Sequence, residues 1–420
     1  MERKKFLSGF LCGIALTLCL GVFIMHGNQL GWFDKIYQTS RGSEKITNSE
    51  RRHALQKLGL LEKYIDKFYL NDLNAEDYEN GLYRGLVSSL NDRYAAYYNK
   101  EEFEEITAMN KGEYVGIGCS VSFDKETGDF TIIQPYEGSP AQQAGIHSGD
   151  VLVAVDGKSV TGKTLSDVVA MIKGEEGTKV KLAVTRSSSE KPVELEVTRK
   201  EVETKTVTYS MLDNKIGYIA IAGFKDTTVQ QFNDAVDALQ KQDMAGLILD
   251  VRDNGGGALD AVVKMTDRIL SKGLIVYTKD KDGKGDKYYA KDKKQLDLPM
   301  VLLVNENSAS ASEVFAGALR DHKLATLVGT KTFGKGIVQS IFSLNDGSAI
   351  KLTTSKYYTP NGDNIHEVGI EPDIVVEMNK DYDKVEDDLV EGPDLEKDNQ
   401  LQAAMECMNK KIGVLNKIMR

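Results

Sequence analysis

The chain has 420 residues, of which 63 are acidic and 53 basic, giving a net charge of -10; 41% of it is apolar and 28% charged. This composition is ordinary for a globular protein of two or three domains, and the acidic balance excludes the basic footprint of a nucleic-acid-binding protein. Four cysteines without metal-ligand spacing and five histidines without a His-Glu-x-x-His motif argue against a disulfide framework and a metal site, and no cofactor is expected.

Residues 1–27 open with a basic flank, Arg3, Lys4 and Lys5, followed by an uncharged run from Phe6 to Met25. Twenty residues in a helix span about 30 Å, the thickness of a bilayer core. The flank predicts an N-terminus inside and the remaining chain outside, as a single-pass cell-membrane protein. A cleaved signal peptide is the alternative, but no small-x-small site follows the run, and Leu18 is a poor residue to precede a lipidated Cys19. The reading adopted is an N-terminal transmembrane signal anchor with an extracytoplasmic catalytic domain.

Residues 28–104 read as a linker followed by a helical region. Leu58, Leu61, Ile65 and Phe68 recur at helical spacing, and Leu82, Leu86 and Leu90 follow Asn74 as a candidate cap. Between 105 and 200 short strands take over: Phe130-Thr-Ile-Ile, Gly149-Asp-Val-Leu-Val-Ala-Val-Asp-Gly157 ending in an Asp-Gly turn, and the alternating run from Val180 to Val184, with a helix over Leu165 to Ile172. From 201 to 378 strand and helix alternate. The runs Ile216 to Ile221, Leu247 to Val251 and Met300 to Val304 read as strands, and Thr228 to Gln240, Ala258 to Leu270 and Ala309 to Leu319 as helices. Such alternation predicts an α/β core with a mixed, partly parallel sheet, whose catalytic groups belong at the carboxyl ends of strands. Residues 379–420 are expected to form an acidic linker and a C-terminal helix from Leu395. The stretch from Glu377 to Asp398 holds ten acidic residues and three lysines, read as a solvated face.

One strand end carries chemistry. Ser310 lies among small residues where the strand from Met300 turns into a helix, and Lys335 follows within Phe333-Gly-Lys-Gly. A serine hydroxyl needs a base, and a lysine serves only when neutral, which at pH 7 requires its pKa to fall about 3 units below the ordinary ~10.4. Burial away from carboxylates supplies such a shift. Gln339 offers a neutral hydrogen-bond partner to orient the amine. The amides of Gly255, Gly256 and Ala311 are candidate oxyanion donors, the first two after a strand end and the third in the first turn of a helix. Each of these residues has a bland reading: Ser310 as a helix cap, Lys335 as a loop lysine. His322 and His366 leave a Ser-His arrangement as a rival, although neither has an evident carboxylate to orient it.

Taken together, Ser308-Ala-Ser-Ala-Ser-Glu313, Gly329 to Gly336, Leu249-Asp-Val-Arg-Asp-Asn-Gly-Gly-Gly257 and Ile365 to Asp373 resemble the carboxy-terminal processing proteases of bacteria and chloroplasts. The likeness runs over roughly residues 50 to 375. It implies Ser310 as nucleophile, Lys335 as general base and Gln339 as its orienter. The β module resembles a PDZ domain through Ser139 to Asp150 and through Tyr114-Val-Gly-Ile-Gly118, where Val115, Gly116, Ile117 and Gly118 would cradle a terminal carboxylate. One departure is Arg93 in Leu90-Asn-Asp-Arg-Tyr, where relatives carry proline. The helices at 50–70 and 395–419 correspond to regions that mediate dimerisation in some relatives, so a homodimer is among the expected partners. The resulting expectation is a membrane-anchored serine endopeptidase with a Ser-Lys dyad that recognises free C-termini. Its rival is a non-catalytic PDZ adaptor that presents such tails.

Overall fold

The computed structural model describes residues 46–124, 127–136, 138–186, 189, 191–291, 296–379 and 395–418. The apolar run from Phe6 to Met25 lies outside them, and no described helix is long and apolar enough to cross a membrane. The chain divides into two units, one ending at Asp77 and one beginning at Tyr78.

The first unit is represented by helix α1 (Asn48–Phe68). Its start is fixed by a capping box: the Thr47 amide donates to Glu50 Oε2 at 2.7 Å, and the Glu50 amide donates to Thr47 Oγ1 at 3.2 Å. Helix α2 (Ala75–Ser88) follows, with Asn74 Oδ1 accepting the amides of Glu76 and Asp77 at 2.8 and 3.2 Å, the cap read from the sequence.

In the second unit, strand β1 (Ala96–Tyr98) and helix α3 (Lys100–Lys111) lead into the β module. That module comprises β2 (Glu113–Gly116), β3 (Cys119–Phe123), β4 (Phe130–Pro135), α4 (Pro140–Gln143), β5 (Val151–Val155), β6 (Lys158–Ser159), α5 (Leu165–Ile172), β7 (Lys179–Thr185), β8 (Val193–Thr198) and β9 (Lys200–Glu203). Its sheet runs β3-β4-β5-β7-β8, so β3 is an edge strand, while β2 pairs with β9. Phe130, Ile132, Leu152, Val180, Leu182 and Val184 are buried in its own core. The alternation that marked these strands is therefore the inward half of a two-faced sheet.

The α/β core contains β10 (Val207–Leu212), β11 (Ile216–Ile221), α6 (Asp226–Lys241), β12 (Gly246–Asp250), α7 (Leu259–Ile269), β13 (Gly273–Asp280), β14 (Lys287–Ala290), β15 (Met300–Val304), α8 (Ala311–Asp321), β16 (Ala325–Gly329), β17 (Ile337–Ser343), β18 (Ala349–Tyr358), β19 (Ile374–Val375) and α9 (Asn399–Ile418). Strands β11, β12, β15, β16 and β19 are mutually parallel, and β10 adds antiparallel at one edge. Helices cover both faces, with α6, α7 and α8 contributing to one cluster and α9 to the other. Burial on both sides explains why these strands are continuous apolar runs. A second sheet, β1-β18-β13-β14 with β17 on β18, is antiparallel throughout and was not foreseen. Its strands are half-exposed and mix polar with apolar residues.

The solvated-face reading of the acidic stretch fails at its last residue. Asp398 is fully buried and, with Asp250, receives the Arg252 guanidinium at 2.7 and 2.6 Å. Gln400 Oε1 accepts from Arg252 at 3.0 Å, and the Tyr218 hydroxyl donates to Asp250 at 2.8 Å. Burial alone would lower the Arg252 pKa, but the two carboxylates outweigh it and raise it well above the ordinary value. This network joins the start of α9 to the end of β12. Asp398→Asn leaves the Arg252–Asp250 pair neutral but replaces charge-assisted bonds to the guanidinium with weaker ones and turns an amide nitrogen toward buried donors, so it is expected to lower stability by about 2 kcal/mol in urea denaturation. An unchanged midpoint and slope would show that α9 is held by its apolar face alone.

Candidate active site

Strand β15 delivers the chain to a tight turn, Asn305 to Ala309, and Ser310 caps helix α8 with φ 56° and ψ -111°. That conformation is costly for a residue with a Cβ, about 1–3 kcal/mol, and persists only when the surroundings enforce it. Here they do. The Ala309 amide donates to Asn254 O at 3.0 Å, Ser308 Oγ to Val251 O at 2.7 Å, and Ser312 Oγ to Asn254 O at 2.7 Å. Asn305 and Asn307 both donate to Asp253 Oδ1 at 2.8 Å. The serine turn is thus sewn to the glycine loop that follows β12. Ser310 is 9% exposed, enough to present its hydroxyl at a surface.

The glycine loop meets the serine directly. Gly256 has φ 105°, and a Cβ there would lie 2.7 Å from Ala309 O and 2.9 Å from both Ala311 N and Ser310 Cβ. Only glycine allows this approach. Its amide, however, donates to Asn254 Oδ1 at 2.8 Å, so Gly256 shapes the site rather than offering a free donor. The amides of Gly255 and Ala311 have no acceptor among the described residues. Two unpaired amides on the segments that meet at the Ser310 turn are the kind of donor that stabilisation of an oxyanion requires.

Lys335 reaches the same region from the loop before β17. The connection is Glu313, on the first turn of α8 and 0% exposed. Its Oε2 accepts the Ser310 and Lys335 amides at 2.9 and 2.8 Å, and its Oε1 accepts the Gly334 amide and Thr332 hydroxyl at 2.7 and 2.6 Å. Four donors occupy the capacity of one carboxylate. The Phe333 amide adds a bond to Ser308 O at 3.1 Å. Sequence reasoning quoted Glu313 only as part of a motif; an acidic residue in a first helical turn carries no mark of partners in a distant loop.

The Lys335 ammonium lies 4.3 Å from the centroid of the Tyr94 ring, and Arg93 stacks on the same ring at 4.7 Å. No hydrogen bond joins Lys335 to the Ser310 hydroxyl among the described residues. Desolvation lowers the Lys335 pKa, and the nearby charges of Lys351 and Arg93 lower it further. Gln339 does not orient the amine in this arrangement. A bulge between Val338 and Gln339 interrupts the β17–β18 register, and the Gln339 amide nitrogen points to Thr353 Oγ1 at 3.5 Å. Of the rival bases, His322 Nε2 contacts Leu274 O at 2.7 Å, and His366 Nδ1 is buried without a partner among the described residues.

In the β module, Val115 and Gly116 belong to β2 and pair with Glu201 and Lys200, whereas Ile117 and Gly118 lie beyond the strand. The amides of Ile117 and Gly118 have no acceptor among the described residues. A groove of about 600 Å³ runs between the β3 edge and α5, lined by Val115, Ile117, Val121, Val169 and Ile172 among others. An extended peptide fits such an edge by adding a strand.

A strained serine beside free amides, with a buried-edge lysine tied to the same carboxylate, has the parts of a serine hydrolase. The model of peptidase family S41 matches residues 215–376, and that of the PDZ domain matches residues 131–186. A probable CtpA-like serine protease of Staphylococcus haemolyticus (strain JCSC1435) is 39% identical over 336 residues, covering 79% of this chain and 67% of the relative. The carboxy-terminal processing protease CtpA of Bacillus subtilis (strain 168) is 36% identical over 330 residues, covering 78% and 70%. The crystal structure of a putative S41 protease from Bacteroides fragilis NCTC 9343 matches with a TM-score of 0.53 at 16% identity, covering 81% of this chain and 93% of that one, a likeness of fold. The chain belongs to peptidase family S41, as a serine protease of the carboxy-terminal processing group.

Glu313→Gln keeps the shape but turns an amide nitrogen toward donors. Misplacement of catalytic groups by about 1 Å costs roughly 10²-fold, so kcat for peptide hydrolysis is expected to fall by about that factor, with KM little changed and cooperative unfolding retained. Full kcat in this variant would show that the carboxylate is only structural.

Proposed function

We propose that the chain is a membrane-anchored, extracytoplasmic endopeptidase that captures protein C-termini in its PDZ groove and cleaves peptide bonds with a Ser310–Lys335 dyad. The observation that carries this reading is the Glu313 carboxylate, which accepts the backbone amides of both residues and so fixes the two loops relative to each other. The basic flank and apolar run at the N-terminus support the anchor and the side of the membrane.

The neutral Lys335 amine takes the proton from Ser310 as Oγ attacks the scissile carbonyl. The oxyanion falls to the amides of Gly255 and Ala311. The ammonium returns its proton to the leaving amine, and the amine then activates water to hydrolyse the acyl-enzyme. The lysine must first leave Tyr94, which its rotatable stem permits by a change of rotamer. Opposed influences act on it at rest: the ring face favours the ammonium, while desolvation and the charges of Lys351 and Arg93 favour the neutral amine. Gln339 is positioned to follow the amine only after a rotation away from Thr353.

Ser310→Ala and Lys335→Ala are each expected to abolish cleavage of an unfolded protein ending in small apolar residues, whereas replacing both His322 and His366 leaves turnover intact. Turnover by Lys335→Ala at a substantial fraction of the native rate would remove the dyad. A base with a lowered pKa works once the pH exceeds that pKa, so kcat/KM should rise with pH and level off below the ordinary lysine range of ~10.4. Lys351→Met removes a charge that disfavours the ammonium, so the Lys335 pKa rises and the acid limb shifts to higher pH. A limb that stays in place would mean that another group titrates.

A further inference from the structure

The groove of the β module is lined by two cations, Lys173 and Lys225, and one of them comes from outside the module. Lys173 directly follows α5, and its ammonium lies 5.8 Å from the centroid of the Tyr114 ring. Lys225 directly precedes α6 of the α/β core. Its stem packs on Gly112, where φ is 83° and a Cβ would lie 3.1 Å from both Cβ and Cδ of Lys225. Gly112 ends α3 just before β2, so the contact sets Lys225 against the start of the strand whose far end leads into Ile117 and Gly118. Both lysines are half-buried, and both line the groove. Neither is paired with a carboxylate among the described residues. The acidic group lining this groove, Glu105 on α3, is exposed at its rim. Desolvation lowers the Lys225 pKa, and Lys173 adds to the effect, so an anion placed between them relieves an existing repulsion.

We propose that Lys173 and Lys225 together bind the terminal carboxylate of a captured protein tail, so that the tail receptor is completed by a residue of the peptidase core. The proposal rests on the reading that tails occupy this groove. The rest of the lining is apolar, with Val115, Ile117, Val121, Val169 and Ile172 following the β3 edge, and that suits one anion at the end of an extended apolar segment. The lysines supply charge from two elements of the fold, one after α5 and one before α6. A receptor divided in this way is complete only while the β module sits on the core, so tail binding and module position are thermodynamically linked.

The test is fluorescence anisotropy with the detergent-solubilised full-length chain carrying Ser310→Ala, using one apolar peptide as the free acid, as the C-terminal amide, and as an amide ending in glutamate. The free acid is expected to bind best. Lys173→Met and Lys225→Met, which keep most of the stem, should each weaken the acid about tenfold and leave the amide unchanged. Each should also flatten the salt dependence of acid binding, while Lys225→Arg keeps the preference. An unaltered acid-to-amide ratio in both methionine variants overturns the lysine assignment and leaves tail capture standing. Equal binding of acid and amide by the chain with both lysines present removes tail capture itself. Tight binding of the glutamate-ended amide overturns the terminal carboxylate as the group that is read.

Discussion

Four donors converge on the buried carboxylate of Glu313, and two of them are the backbone amides of Ser310 and Lys335. The rest of the site follows from that convergence. The serine caps α8 after a strand of the parallel sheet, and the lysine precedes β17 of the antiparallel sheet, so apart from these bonds and the Phe333 amide's bond to Ser308 O their relative position depends on how two sheets pack. A carboxylate without solvent access has no water to replace a lost donor, which makes each of the four bonds expensive to break. The same bonds hold Ser310 at a positive φ that its own turn would not choose. On its other side the turn is fixed by Asn254, which accepts from Ala309 and Ser312 through its carbonyl and from Gly256 through its side chain.

Position is fixed more firmly than protonation. Lys335 is tied by its backbone, and its amine is left on the Tyr94 ring among like charges. A cation on an aromatic face is stabilised by about 0.5–2 kcal/mol, which opposes the depression that a general base requires. Desolvation and the charges of Lys351 and Arg93 act the other way. The amine on the ring is therefore under opposed influences, one favouring the ammonium and the others the neutral form. Arg93 braces the ring, with its guanidinium donating to the Tyr94 hydroxyl at 2.5 Å.

The parallel strands were legible because burial on both faces leaves an unbroken apolar run, and β11 and β15 begin and end where the sequence indicated. The helix over Leu165 to Ile172 was legible as a short apolar run between strands, and the structure adds a Thr164 cap that fixes its start. The antiparallel sheet was not, because its pairings join residues far apart in sequence, such as Ala96 with Lys351, and its strands are only half-buried. Ser310, Lys335 and the glycine loop stood out because small residues at strand ends mark close backbone approach. Tyr94, Asp398 and Glu313 did not, since what defines each is a partner that no local pattern reveals. Gln339 was expected to orient the Lys335 amine, and its amide nitrogen instead lies 3.5 Å from Thr353 Oγ1, beside a bulge that no local sequence pattern announces. Gly256 was expected to donate, and instead its missing side chain is what matters.

The central claim is that Ser310 becomes a nucleophile through the Lys335 amine. Covalent labelling by a fluorophosphonate, located by peptide mass spectrometry and followed against pH, measures this without a natural substrate. The account predicts a single adduct on Ser310, formed faster as pH rises through a lysine pKa below the ordinary range, and loss of that pH-dependent rate in Lys335→Met. An adduct on another residue, or labelling of Ser310 at an undiminished rate in Lys335→Met, would contradict it.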